Sequence, residues 1–218
     1  DSAHKTLPVL TGGAYLHSGC DFDERDLKRA MALVGSTSPS YLILNSLDCC
    51  NGYLSQRSKT DFARLCAQKE RLVKAAEAAG FKVIDGSDCT KLSLLTCPAG
   101  YSASRAAEWF RKRKIECEYA SGGVIVFLMT PFNSGRDFKL LENAFGEFKP
   151  QKGKEFTPFK YEKVQTALSP HEALWAKTEE IPISRASGRI SAQACITCPP
   201  GVPITSYGEL ITESTAER

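Results

Sequence analysis

The chain has 218 residues, 42% of them hydrophobic, which is enough for a substantial core and for one or two domains. Its 28 lysines and arginines nearly balance 25 acids, leaving a net charge of +3, so nothing in the composition points to a nucleic-acid or polyanion surface. No apolar run reaches membrane-spanning length and no signal peptide precedes Lys5, so the expectation is a cytosolic protein without a membrane partner.

In chain order, the apolar run Leu7, Val9, Leu10, Ala14, Tyr15 and Leu16, broken at Gly12-Gly13, reads as a turn followed by a short buried strand. A helix starts at 21–24 with Asp23 as its N-cap. Leu27, Ala30, Met31 and Val34 share one of its faces before Gly35 ends it. Pro39 suits the first turn of the next helix, which carries Leu42, Leu44, Leu47 and Leu54. A second long helix is predicted over 61–79 with Gly80 as its C-cap, and a strand over 81–85.

A smaller domain follows. Residues 91–96 read as a strand, 102–114 as an amphipathic helix with Ala106, Trp109 and Phe110 inward, 123–129 as a buried strand and 134–148 as a helix. The order strand, helix, strand, strand, helix predicts an α/β sandwich, a helix layer on a small sheet. Such a domain closes over a site rather than carrying the nucleophile. The basic run Arg111-Lys112-Arg113-Lys114 is a solvated helix end, favoured there by the helix dipole. From 149 to 163 the Lys, Gly, Pro and aromatic composition reads as a linker. Beyond it, Pro182-Ile183 and Gly188-Arg-Ile-Ser-Ala192 read as turn-and-strand pieces, and Pro199-Pro200-Gly201-Val202-Pro203 can be neither helix nor central strand. The expected division is 1–58, 59–148 and 149–218.

The nine cysteines are scattered and odd in number, which suits reduced, mostly buried thiols. Cys195-Ile-Thr-Cys198 has the spacing of half a zinc site, but no second such pair exists and His171 is the only histidine in the C-terminal part, so no metal is expected.

The chemistry-bearing stretch is Ser2-Ala-His4-Lys5. A lysine does covalent chemistry only when its amine is deprotonated, and a flanking His and Ser could bind a phosphate. The segment Ser2-Ala-His-Lys-Thr-Leu-Pro-Val-Leu-Thr-Gly-Gly-Ala14 resembles the cofactor-lysine segment of the Orn/Lys/Arg decarboxylases, pyridoxal-phosphate enzymes of the aspartate-aminotransferase fold. Ser36-Thr-Ser-Pro-Ser-Tyr41 resembles that family's Thr-Ser-Pro-Ser-Tyr segment at a similar distance from the lysine. The stretch from Ser169-Pro-His-Glu-Ala173 through Gly188–Ala192 and Pro199–Pro203 to Gly208-Glu209 resembles its C-terminal domain.

The resemblance implies an α/β architecture: the end of a fold-type-I pyridoxal-phosphate large domain, then the small α/β sandwich, then a C-terminal α+β piece. It implies that Lys5 holds pyridoxal 5'-phosphate and that His4 and Ser2, with Ser36 and Thr37 reaching from a neighbouring subunit, bind its phosphate. Lys5 or His4 would supply the final proton, and Glu209 would meet the distal cation of arginine, lysine or ornithine. A homodimer or higher oligomer is implied. Tyr207-Gly208 stands where the family's ending has Pro-Gly before its acid. The family's ring-stacking aromatic and pyridinium-pairing aspartate precede the lysine, so the chain is expected to be the back part of a larger polypeptide and inactive alone. Two other readings stay open: an aminotransferase gripping the substrate carboxylate with Arg105 or Arg136, and a non-catalytic relative that binds or regulates.

Overall fold

The computed structural model describes residues 1–84, 86–157, 164–197 and 201–217, in two compact units, 1–156 and 157–218. Asp85, the end of the linker at 158–163, Cys198, Pro199 and Pro200 lie outside the described residues.

The first unit opens with a 3-10 turn, Ala3–Lys5, followed by helices α1 (Glu24–Ala32), α2 (Tyr41–Gln56) and α3 (Ser58–Ala78). Local chemistry sets their ends. Asp23 caps α1 by accepting from Arg25 N at 2.9 Å, and Gly80 follows α3 at φ +88°, a conformation that costs a glycine little. Three expectations need correcting. The 14–16 stretch is not a strand: Leu16 is exposed and no ladder partner reaches it. Pro39 precedes the N-cap, Ser40, instead of occupying the first turn of α2. The apolar face of α1 forms but is not buried: Leu27 is half-buried, Met31 is 53% exposed and Val34, just beyond the helix, is 92% exposed.

Strands β1 (Lys82–Ile84) and β2 (Lys91–Leu95), helix α4 (Ala103–Arg111), strands β3 (Tyr119–Ser121) and β4 (Val124–Leu128) and helix α5 (Gly135–Glu147) complete the unit. The sheet runs β1-β2-β4-β3 and every pairing is antiparallel. Leu92 faces Phe127 and Leu94 faces Ile125 across the β2–β4 pair, and this period-two set is fully buried beneath α3, α4 and α5. Phe110 is the centre of the core, with Phe127, Phe145, Phe148 and Trp109 at centroid distances from 5.0 to 6.1 Å. Ser102 and Ser134 cap α4 and α5, Ser134 in a reciprocal box with Asp137. The basic helix end is held in place as well as solvated: Arg113 stacks 3.6 Å over the Trp109 ring and pairs with Glu147.

In the second unit, α6 (Pro170–Trp175) is capped by a Ser169/Glu172 box. Strands β5 (Cys195–Thr197) and β6 (Val202–Thr205) form a two-stranded sheet in which Pro203 can sit, since neither strand is central. α7 (Glu213–Ala216) ends the described chain. Gly208, at φ +80°, lies so close to Leu168 that an added Cβ would meet its carbonyl oxygen at 2.0 Å.

Candidate active site

Lys5 ends the Ala3–Lys5 turn, whose fold follows from two backbone bonds, Lys5 N to Ser2 O at 3.2 Å and Leu7 N to Ala3 O at 2.9 Å. Ala3 is fully buried and acts as the anchor, while the side chain of Lys5 is exposed. His4 is half-buried, and its Nδ1 lies 3.2 Å from Gly13 O. A carbonyl only accepts, so Nδ1 carries the hydrogen and Nε2 is left as the acceptor.

Gly12-Gly13 makes this approach possible. Gly12 is at φ +97°, and a Cβ on Gly13 would meet Val9 Cγ1 at 2.2 Å and Leu10 O at 3.2 Å. The returning strand of chain is pinned to α2. Ser46 Oγ accepts from Leu10 N at 3.1 Å, and the Tyr15 hydroxyl lies 3.0 Å from both Leu47 O and Asn51 Oδ1. Burial, then the neighbouring Cys50 thiol and the Asp48 charge, push the Tyr15 hydroxyl above its ordinary pKa, so it stays a neutral donor. Gly13, Tyr15 and Ser46 were not singled out as site residues in the sequence. The paired glycines were the available signal, but their role depends on a helix more than thirty residues away.

Ser2 is exposed, precedes the turn that ends at Lys5 and makes no capping bond with its hydroxyl. Ser36 and Thr37 are exposed in the loop before α2, where Ser36 Oγ accepts from Ser38 N at 3.1 Å; no described bond joins either residue to Lys5. Glu209 lies in the second unit. Its Oε2 accepts from Ser206 N at 2.8 Å, and its backbone carbonyl accepts from Ser191 N at 2.8 Å. It is half-buried in a turn it helps to close, and Oε1 has no described partner. Arg105 lies 5.6 Å over the Tyr101 ring and Arg136 is exposed near the start of α5. A cleft of about 300 Å3 elsewhere in the first unit is lined by Arg64, Gln68, Asn133 and Phe138, and Lys5 does not line it.

The donor set at the N-terminal turn fits the aldehyde and phosphate ends of pyridoxal phosphate: an accessible amine, an imidazole nitrogen with a fixed tautomer, and a free hydroxyl. Among the described residues no cluster of His, Cys, Asp and Glu is placed to hold a metal ion, and no helix is long and apolar enough to cross a membrane.

The family described as "Orn/Lys/Arg decarboxylase, C-terminal domain" matches residues 152–218. Arginine decarboxylase of Bacillus subtilis is 29% identical over 97% of this chain and 47% of its own length, and that of Halalkalibacterium halodurans is 28% identical over 98% and 47%. The chain therefore spans about half the length of the curated relatives it matches. In fold, the lysine decarboxylase of Francisella novicida superposes with a TM-score of 0.72 at 16% identity, covering 98% of this chain and 42% of that one. The constitutive lysine decarboxylase of Escherichia coli gives 0.66 at 17% identity, covering 90% and 41%.

Proposed function

From the resemblance to the Orn/Lys/Arg decarboxylase family, which these matches bear out, we propose that this chain is the portion, from the cofactor lysine onward, of a pyridoxal-phosphate-dependent decarboxylase of arginine, lysine or ornithine. The observation that carries the reading is the N-terminal turn, where Lys5 presents its amine beside a His4 fixed on the Gly13 carbonyl. When bound, the cofactor supplies an electron sink as the substrate carboxylate departs as carbon dioxide. The residues of the chain hold and orient. Lys5 is the covalent attachment point. His4 Nε2 and the Ser2 hydroxyl are phosphate contacts, and His4, which can carry a proton at Nε2, is the group placed to return one to substrate.

In this reading residues 1–58 are the end of the large domain, 59–148 the small α/β domain and 149–218 the family's C-terminal domain. The protein works in the cytoplasm as a dimer or larger assembly. Leu33, Val34, Tyr41 and Leu42, each at least 74% exposed, offer the second subunit an apolar face flanking Ser36 and Thr37. Ser36 serves a turn in its own subunit, and both residues serve a phosphate in the other. Glu209, with one carboxylate oxygen unengaged, is the proposed partner of the substrate's distal cation.

The test is chemical labelling. Borohydride reduction of the complete protein loaded with pyridoxal phosphate, followed by peptide mapping, is expected to place the pyridoxyl group on Lys5. A label on another lysine, or none, would refute the site. The Glu209→Gln change is expected to raise KM for one basic amino acid about tenfold without weakening cofactor binding, the scale of losing one charge-assisted bond. Unchanged turnover of all three amino acids would remove Glu209 from the site while leaving Lys5 in it.

A further inference from the structure

The cleft of about 300 Å3 that Lys5 does not line lies between α3 and the β4–α5 connection. Its floor is apolar: Leu65 is 1% exposed and Pro131 is buried. Phe132 adds a ring that stays 57% exposed although it packs against Tyr53 at a centroid distance of 5.1 Å. The polar groups of the cleft have donors to spare. Arg64 Nη2 donates to Pro131 O at 3.2 Å and lies 3.4 Å from Asp61 Oδ1, which leaves Nε and Nη1 without a described partner. The Gln68 amide is half-buried and makes no described hydrogen bond. Asn133 Oδ1 accepts from Thr130 N at 2.8 Å, so the other end of that amide is a donor as well.

Charge decides what fits. Arg64 is the one ionised group among the described lining residues, and it is held by Asp61, whose side chain is 8% exposed. Arg57 Nε lies 3.9 Å from the other oxygen of the same carboxylate. Two guanidiniums against one carboxylate leave one net positive charge, which matches a monoanion and leaves half of a dianion uncompensated. A lining rich in donors and without an acid selects an anion over a cation. The apolar surface of Leu65, Pro131 and Phe132 selects an organic body over a bare inorganic ion. We propose that this cleft binds a small carboxylate with an apolar body, its carboxylate on Arg64 and Gln68 and its body against Phe132 and Leu65. Asp61 is a positioning residue, fixing the guanidinium from behind without touching the ligand. The site uses neither the cofactor nor the lysine turn, so it stands independently of the decarboxylase reading.

The experiment titrates benzoate into the purified, isotopically labelled protein and follows backbone amide signals by NMR. Saturable shifts at Gln68, Thr130 and Asn133 are expected, with a Kd on the order of 1 mM. Benzamide, of the same shape without the charge, is expected to bind at least about tenfold more weakly, and sulfate, a dianion without an apolar body, to leave these signals in place. Shifts that do not saturate or that fall on other residues, equal affinity for benzamide, or saturable shifts with sulfate would each overturn the proposal. Arg64→Gln is expected to weaken benzoate about tenfold. Since that change also removes the tie to Pro131, Gln68→Ala, which breaks no described bond, serves as the second variant. It is expected to weaken benzoate about threefold with an unchanged midpoint of thermal unfolding. Benzoate affinity equal to wild type in either variant would remove the carboxylate from this cleft.

Discussion

Two stretches of the first unit are built from similar apolar residues and end differently. In the sheet domain, Phe110, Phe145, Leu92, Leu94 and Ile125 are at most 1% exposed. Across α1 and the start of α2, Leu33, Val34, Tyr41 and Leu42 are 74–92% exposed. Amphipathicity by itself does not bury a helix. α4 and α5 bury their apolar stripes because a period-two sheet face of matching width lies beneath them, whereas α1 has no such surface among the described residues. The contrast separates the part of the chain whose stability is internal from the part whose apolar surface is available for contacts.

The sharpest way to break that contrast is Phe110→Ala. Removing the ring at the centre of the aromatic cluster is expected to cost about 3–5 kcal/mol in denaturant unfolding, by lost transfer energy plus the cavity. A loss under about 1 kcal/mol would mean that the cluster is not the core of a cooperative unit. Next in size is the pair of serine caps. Ser134→Ala dismantles a reciprocal box and is expected to cost about 1 kcal/mol. Ser40→Ala, whose bond to Ile43 N is 3.5 Å long, should cost less by the same measurement. Equal losses would erase the difference between the two regions at their helix starts.

A smaller effect comes from Asp88. Burial alone would raise its carboxyl, but hydrogen bonds from Lys91 and Thr90 outweigh it and hold the group down at about 2. A depressed carboxylate pKa contributes stability above the unfolded value, near pH 4, and that stability is lost as pH falls from about 4 toward 2. The side chain is 45% exposed, so after solvent screening the contribution is under about 1 kcal/mol. Asp88→Asn is expected to flatten acid unfolding in that window, and an unchanged profile would remove Asp88 from the acid response. The smallest expected effect is Leu33→Ser, within about 0.5 kcal/mol of wild type in unfolding while lowering self-association in sedimentation. A large loss of stability would place Leu33 in a folded core after all.

The grouping of Ser2, His4 and Lys5 was legible from a short string of residues, because they lie within one turn of chain. What holds it was not: the bond from His4 to Gly13, and the attachments of Leu10 to Ser46 and of Tyr15 to Leu47, join positions from nine to more than thirty residues apart. Glu209 was legible as an acid after a proline-rich loop, but the bond from Ser206 N that turns its carboxylate into the closure of a turn depends on how the backbone bends there.

The amino-acid sequence alone determined the order of helices and strands around the sheet, the capping residue Asp23, the starts of α4 and α5 to within a residue, and the glycine stop after α3, since each depends on contacts within a few residues. Only the tertiary structure decided that the sheet is antiparallel in the order β1-β2-β4-β3 and that 14–16 is not a strand. It also decided that most of the apolar face of α1 stays in solvent. The physical reason is the range of the forces involved. A cap or a turn is satisfied by its neighbours in the chain, whereas burial and strand register are satisfied only by whichever distant residues the packed chain brings alongside.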